Sequence, residues 1–506
     1  MFDIKGLVNS LFQQNTQEGV FDLKSSTIFM EELPESDILQ AQIEIVKALK
    51  QLNSTPKVSM SERFKTIPYL EEKAQPLQNH LLDIYHGRLI EEGITAHQVL
   101  PTILSFWHEM ATGYLSCIKQ VNQKKFTLIQ EKKIELFTLR AMELYAIQAQ
   151  YSYMRHLEID HQIWRNLNRL YHFAEQSNFA NKSLNAENTS IQRCYIQALM
   201  LSLSNPEKLQ SAQIELIAIW LQKWSAEIKL ETALQTQQHL FAINLTGTSA
   251  PKRIRRDMVG ENWRYWSADP ITEQIQKLIT QLKQGETPNN LGLPTETASP
   301  INLEQLQILS SLWSRDAETP IRKHQRQNNT KSIRVIIGIQ HIVPYMAQQG
   351  KTSTNSGDHI STEKWELGDE SASGFGLNYH SETQLEIGEL LGLANLSNYP
   401  FTIGIVRRFN RSHKGFVNVG VETLTQSPVM VELTPLLSEN SFQCIYAPEG
   451  PSSSPARFLI IPNAAYSENR EYKFTAQGKS YRIRLSPALE HTPSFVLAKF
   501  TVLEKL

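Results

Sequence analysis

Two short groups of polar residues, separated by a predicted strand, have side chains that suit an anionic nucleotide. Arg322 and Arg326 lie four positions apart, and guanidinium groups bond phosphate oxygens in pairs or stack on flat bases. Asp369, Ser371 and Gly374 form the second group. A carboxylate accepts the N–H donors of a guanine edge, a hydroxyl donates or accepts, and a glycine permits positive φ or close approach. Together these residue types predict contacts to phosphates and to a base.

The order of these five residues resembles the two motifs of the PilZ domain, a bacterial receptor for cyclic di-GMP. Its motifs are RxxxR at a strand entrance and D/NxSxxG in a later loop of a small antiparallel barrel. Segments 387–391 and 403–407 read like later strands of that barrel. The resemblance covers roughly residues 320–435 and implies that the five residues bind cyclic di-GMP. Receptors of this kind often take the dinucleotide as a stacked dimer.

The sequence departs from the family in the spacing of the two motifs. Between Arg326 and Asp369 lie 42 residues, more than the family usually has, and the excess falls in 348–357. The composition of that segment, rich in Gln, Gly, Ser and Thr, predicts a loop. Each motif alone has an ordinary structural explanation: RxxxR as a solvated helix face, and DxSxxG as turn chemistry.

Length and composition are those of a globular protein with several domains. The chain has 506 residues, of which 41% are hydrophobic and 20% charged, with a formal net charge of −1. Bulk charge therefore indicates no polyanionic partner, and we expect no DNA binding. The three cysteines lack metal-binding spacing, which is typical of buried thiols in a reducing compartment. Because no signal peptide or membrane span is recognisable, we expect a cytoplasmic protein without membrane insertion.

The spacing of apolar residues in 31–235 predicts an all-helical domain of paired antiparallel helices. The pattern in residues 1–30 allows no firm prediction. The clearest apolar spacing runs from Leu100 to Cys117, with Pro101 in the first turn. Another helix starts at Asp37, a cap residue. No 34-residue period supports tetratricopeptide repeats, so an irregular helical array is the better interpretation. Its aromatic stripes either fill a core or offer a groove to a partner protein.

Residues 236–319 predict a connecting region. It contains a strand at 240–245, a helix at 271–282, a linker at 285–300 and a helix at 303–313 that we expect to dock against the barrel. The basic cluster 252–256 either contacts phosphate or an acidic partner, or forms a solvated turn with intramolecular ion pairs.

From Ser332 the apolar period changes to two, which is typical of strands with one buried face. Segments 401–405 and 417–421 flank a polar turn at 410–415, a strong hairpin signal. At least four further strands follow, too many for one six-stranded barrel. The fold class expected is therefore multidomain α plus β: helical domain, PilZ-like antiparallel barrel at 320–435, and a second small β unit at 436–506, a degenerate copy without either motif.

No catalytic or metal-binding motif is present: P-loop, GxGxxG, GxSxG, HExxH and spaced Cys/His sets are all missing. The sequence thus favours a non-enzymatic sensor that binds cyclic di-GMP and relays it to an unidentified protein partner. Binding by arginines on a linker would draw that linker onto the barrel and reorient the helical domain. Arg334 or Arg407 are candidates for a further ligand contact.

A second hypothesis is an adaptor whose degenerate barrel binds no ligand. The long insertion before Asp369 is its main support. On this hypothesis a helical face around Trp107 and Trp164 would carry the activity through protein–protein contacts.

Overall fold

The computed structural model describes most of the chain and divides it into two compact units. The described residues are 20, 22–34, 36–119, 128–185, 188–317, 327–349, 362–371, 373–380, 385–396, 401–412, 414–436, 440–448, 457–476 and 478–506, with only the backbone given for 128–130, 327–330 and 349. The first unit comprises residues 1–153, 159–204 and 213–317, and the second comprises 154–158, 205–212 and 318–506.

The described residues between 22 and 317 form ten α-helices. They are α1 Leu23–Glu31, α2 Ile38–Ser54, α3 Met60–Tyr85, α4 Ala96–Lys119, α5 Leu128–Met154, α6 His161–Gln176, α7 Ile191–Ser202, α8 Ser211–Trp224, α9 Asp269–Lys283 and α10 Pro300–Trp313. The predicted helical character of the first part of the chain is therefore confirmed. No described helix has the length and apolar character needed to cross a membrane.

Helix starts follow capping chemistry. The carboxylate of Asp37 accepts from the amide of Gln40 at 2.8 Å, as expected. The start predicted for α4 was wrong, because the helix begins at Ala96 and Pro101 lies in its second turn. Thr95 and Gln98 explain the earlier start: the Thr95 amide donates to the Gln98 side chain at 2.8 Å, one half of a capping box.

The aromatic stripes of the helices fill the core. Trp107 is 4% exposed and Trp164 is 3% exposed. The Trp107 ring packs edge-on against Tyr151 with ring centroids 4.7 Å apart. These two tryptophans therefore form no exposed face for a partner.

The region after α8 packs within the first unit. Its strands β1 Phe241–Asn244, β2 Lys252–Arg253 and β3 Trp263–Trp266 form a sheet in the order β2-β1-β3. Arg253 donates to the carbonyls of Leu312 and Ser314 at 2.9 and 2.7 Å, which satisfies the end of α10. Part of the basic cluster thus has an intramolecular role.

One expectation for this region was wrong. Segment 285–300 is no open linker, because it contains short 3₁₀ turns and a buried Thr297 that accepts from Trp220 at 3.1 Å. Helix α10 packs on α9 and inserts Trp313, whose indole donates to the carbonyl of Leu203 at 3.1 Å. Burial of this tryptophan anchors α10 within the first unit, and its docking on the barrel stays a prediction.

The second unit contains two closed six-stranded barrels. The strands of the first are β4 Gln327–Ile337, β5 Glu363–Ser371, β6 Gly374–His380, β7 Leu390–Ala394, β8 Phe401–Arg411 and β9 Phe416–Thr425, and helix α11 Ile339–Gln349 follows β4. The strands of the second are β10 Val429–Pro435, β11 Phe442–Ala447, β12 Phe458–Pro462, β13 Glu471–Ala476, β14 Lys479–His491 and β15 Phe495–Lys505. The strand orders are β4-β5-β6-β9-β8-β7 and β10-β11-β12-β15-β14-β13. Both barrels therefore have the same topology, and the predicted hairpin β8–β9 is confirmed.

The first barrel spans fewer residues than the sequence interpretation assumed, and the second barrel spans more. Val429–Pro435 pairs with β11 and β13, so it opens the second barrel and does not close the first. Helix α11 also occupies the start of the segment expected to be a loop at 348–357. Which strands pair is decided by the tertiary structure. The pattern of apolar residues therefore placed the boundary between the two barrels several residues too late.

The barrels pack through an apolar interface. Helix α11, β7 and the outer face of β8 contribute Ile342, Leu390 and Ile403, which lie against Ile445, Ile460 and Leu497 of the second barrel. All six are at most 3% exposed. Burial on this scale makes the two barrels one packed body.

Candidate nucleotide-binding site

The second motif lies at the joint between two strands of the first barrel. Asp369 and Ser371 end β5 and Gly374 begins β6, in a register that pairs Ser371 with Gly374 and Asp369 with Gly376. The motif was expected in a loop, but its three residues are strand residues of a tight hairpin. The sheet therefore fixes the direction in which each side chain points.

Strand β4 runs beside the second motif. Arg322 and Arg326 lie outside the described residues, but β4 begins directly after them, and its first residues Gln327 and Asn328 pair with Glu370 and Asp369. The chain that leaves Arg326 thus runs beside the second motif. Between the motifs the chain leaves β4 after Ile337 and enters β5 at Glu363. These strand ends lie opposite the ends at which Asn328 pairs with Asp369.

Close backbone packing requires the glycine at 374. A Cβ at this position would lie 2.1 Å from the carbonyl oxygen of Val421 on β9. Gly374 pairs with Glu422 on that strand. Its role is therefore close approach of two strands, and not positive φ.

Ser371 is held by its own hairpin. Its hydroxyl donates to the carbonyl of Gly374 at 3.1 Å and lies 3.3 Å from the hydroxyl of Ser373. Because one lone pair can still accept, the side chain retains capacity for a ligand donor.

Asp369 lies over a second glycine. Its Oδ1 and Oδ2 are 2.6 and 2.9 Å from the position that a Cβ on Gly376 would take. The absence of a side chain at 376 lets the carboxylate lie against the sheet. Asp369 is half-buried there, with its Oδ1 enclosed by the protein, and a carboxylate offers acceptors only.

A row of four paired residues crosses the barrel from Asp369. Gly376 pairs with Gly420 on β9, and Gly420 pairs with Arg408 on β8. Directly paired residues point to the same face of a sheet, so Asp369 and Arg408 flank two glycines on the outer surface. Sequence reasoning missed Arg408 and Gly420. The only signal was a glycine inside an alternating strand, which marks a bulge or a close approach.

A β-bulge gives this face two adjacent arginines. The register shifts between Val406 and Arg408, so Arg407 is the extra residue. Arg407 binds Glu422 through Nε at 2.6 Å and Glu490 of the second barrel through Nη2 at 2.8 Å. Both carboxylates raise the pKa of Arg407 and hold its charge, although burial opposes them. Arg407 is thus a link between the barrels.

Arg334, the other candidate for a further contact, lies on the exposed side of β4 and pairs with Lys364 and Ala394. It is six residues from Asn328, roughly 20 Å along a strand. The structure does not bring it to the motif.

The second barrel has apolar residues where the first has the polar row. The row that corresponds to Asp369, Gly376, Gly420 and Arg408 is found by counting from the matching hairpin ends. It consists of Ile445, Ile460, Leu497 and Glu490. The three apolar residues are buried against the first barrel, and Glu490 binds Arg407. The corresponding face of the second barrel is therefore used for packing. Among the described residues no group of three His, Cys, Asp or Glu side chains could hold a metal ion.

Comparison with protein families gives a match in the helical part of the chain. Residues 24–237 match the family model described as "Cyclic-di-GMP receptor FimW, N-terminal domain". The comparison with curated proteins found no match. The matched segment, less than half of the chain, is thus similar to the N-terminal domain of a cyclic-di-GMP receptor.

Proposed function

We propose that this protein is a cytoplasmic bacterial receptor for cyclic di-GMP whose first barrel is a PilZ-like binding module. Arg322 and Arg326 would bind the phosphates, and Asp369, Ser371 and Gly374 would hold a guanine against the end of β5 and β6. The observation that carries the proposal is the register that sets Asn328 opposite Asp369. The strand that follows the first motif in the chain therefore runs beside the second.

Two further findings support the proposal. The family match concerns a cyclic-di-GMP receptor, and it lies in a part of the chain that contains neither motif. The match and the motifs are therefore independent indications of the same ligand. The three described thiols are free and buried, which is typical of a reducing compartment.

The relay to a partner would use the helical part of the chain. Residues 154–158, between α5 and α6, pair with β8: the amide of Glu158 donates to the carbonyl of Arg411 at 3.0 Å, and the amide of Arg411 donates to the carbonyl of His156 at 2.7 Å. A change in β8 on ligand binding would therefore act on the segment that joins two helices. The adaptor hypothesis is less well supported, since Trp107 and Trp164 are buried.

Calorimetric titration with cyclic di-GMP at fixed salt tests the proposal. We expect micromolar or tighter binding by the wild type, and loss of about tenfold or more in affinity in Arg326→Ala and in Asp369→Ala. Glu366→Gln is the control, because Glu366 is an exposed carboxylate of the same strand that pairs with Asn378, away from the motif. A folded wild type that does not bind would refute the proposed function.

A further inference from the structure

Arg408 differs from its neighbour Arg407 in that its guanidinium is available. Within the described part of the chain, Arg407 is bound to two carboxylates, whereas Arg408 has neither an ion pair nor a hydrogen bond. Arg408 is half-buried, so its side chain rests on the protein while its five N–H donors have no partner among the described residues.

Gly420 determines how Arg408 lies. Three consecutive atoms of the Arg408 side chain, Cγ, Cδ and Nε, are 2.7, 3.2 and 2.6 Å from the position that a Cβ on residue 420 would take. The side chain therefore runs along the sheet, across the gap that the glycine leaves. Any other residue at 420 would displace it.

The two glycines bring Asp369 and Arg408 towards each other. The strands β6 and β9 between them carry no side chain in this row, and neighbouring strands lie about 4.8 Å apart. Asp369 lies over Gly376 and Arg408 over the adjacent Gly420. A hydrogen-bond acceptor and a flat, delocalised cation thus lie over adjacent glycines of one row on the outer face of the barrel.

We propose that Arg408 is a ligand-recognition residue on which one guanine of the dinucleotide stacks, with the donor edge of that base at Asp369. A guanidinium plane is a good support for a flat base. A carboxylate beside it selects guanine, because N1–H and the N2 amino group of guanine are donors. This inference rests on the proposed function, and it assigns a base platform to the site in addition to the phosphate-binding arginines.

Titration of the full chain with cyclic di-GMP, together with thermal unfolding of each variant, tests the inference. We expect Arg408→Ala to weaken binding about tenfold, and Arg408→Lys to be similarly weak because an ammonium has charge but no plane. Gly420→Ala displaces Arg408 without changing any charge, so it should weaken binding in the same direction. Arg334→Ala is the control, since it removes an exposed arginine of the same barrel that lies roughly 20 Å along β4 from Asn328, and it should change affinity less than about threefold.

The outcomes separate the two proposals. If the wild type does not bind, the proposed function fails. If the wild type binds and Arg408→Ala, or Arg408→Lys, retains its affinity, the stacking role of Arg408 is refuted while the receptor function stands.

Discussion

The carboxylate of Asp369 lies over Gly376, with Oδ1 2.6 Å from the place where a Cβ would be. Replacement of Gly376 by Ala would therefore force the carboxylate to rotate away. We expect about tenfold weaker binding of cyclic di-GMP and little change in stability, because the group that yields is the end of a side chain. Calorimetry beside thermal unfolding measures both quantities. Unchanged affinity in this variant would argue against Asp369 as a ligand residue.

Gly374→Ala should destabilise the first barrel. Here the new Cβ would meet backbone, the carbonyl oxygen of Val421 at 2.1 Å, and strands β6 and β9 would have to separate. We expect destabilisation of about 1–3 kcal/mol. Hydrogen exchange of peptides that cover β6 and β9 reports this local stability. Exchange as slow as in the wild type would contradict the close approach.

Arg407 should couple the stabilities of the two barrels. A double-mutant cycle with Arg407→Ala and Glu490→Gln isolates the contact between β8 and β14. The Arg407 side chain is 40% exposed, so we expect a coupling free energy of only about 0.5–1 kcal/mol, reduced by salt. Chemical unfolding measures it, and strictly additive effects would show that the ion pair contributes nothing.

His156 should make the second unit sensitive to acid. Burial, and secondarily the charge of Arg411, lower the pKa of His156 to about 4, and its ring packs on Phe409 with centroids 4.0 Å apart. Since the unfolded chain keeps a pKa of about 6.5, it binds the proton first as pH falls. Stability should therefore be complete above about pH 6.5 and decrease down to about pH 4, by on the order of 3 kcal/mol.

His156→Asn is the variant that tests this pH dependence. Asparagine tolerates the left-handed backbone at this position, where φ is 51°. We expect the variant to lose less stability than the wild type between pH 7 and pH 4.5, measured by urea unfolding. Parallel pH profiles for the two proteins would mean that other groups cause the acid sensitivity.

Ligand binding should also be detectable where residues 154–158 pair with β8. We expect cyclic di-GMP to slow hydrogen exchange in peptides that cover 154–158 and 407–411, because binding at Arg408 would stiffen β8. A peptide that covers β13, which does not pair with the first barrel, serves as the internal control. Saturated binding without any change at 154–158 would contradict a relay by this path.

The sequence by itself determined the local elements and the residue types of the candidate site. Apolar spacing of three and four identified most helices between residues 37 and 313, though not α1 or α11, and alternation identified hairpin β8–β9, because both periods follow from backbone geometry. The second motif was recognisable because Asp369, Ser371 and Gly374 lie within six consecutive residues. Capping chemistry at Asp37 was equally local.

Only the tertiary structure decided which strands pair, in which register, and with what neighbours. The pairing of Asn328 with Asp369, the assignment of Val429–Pro435 to the second barrel, and the row from Gly376 to Arg408 all join residues far apart in the chain. A register shift of one residue reverses the face of every side chain, and the bulge at Arg407 is such a shift. No local pattern specifies it, because it depends on how strands with a common core close into a barrel.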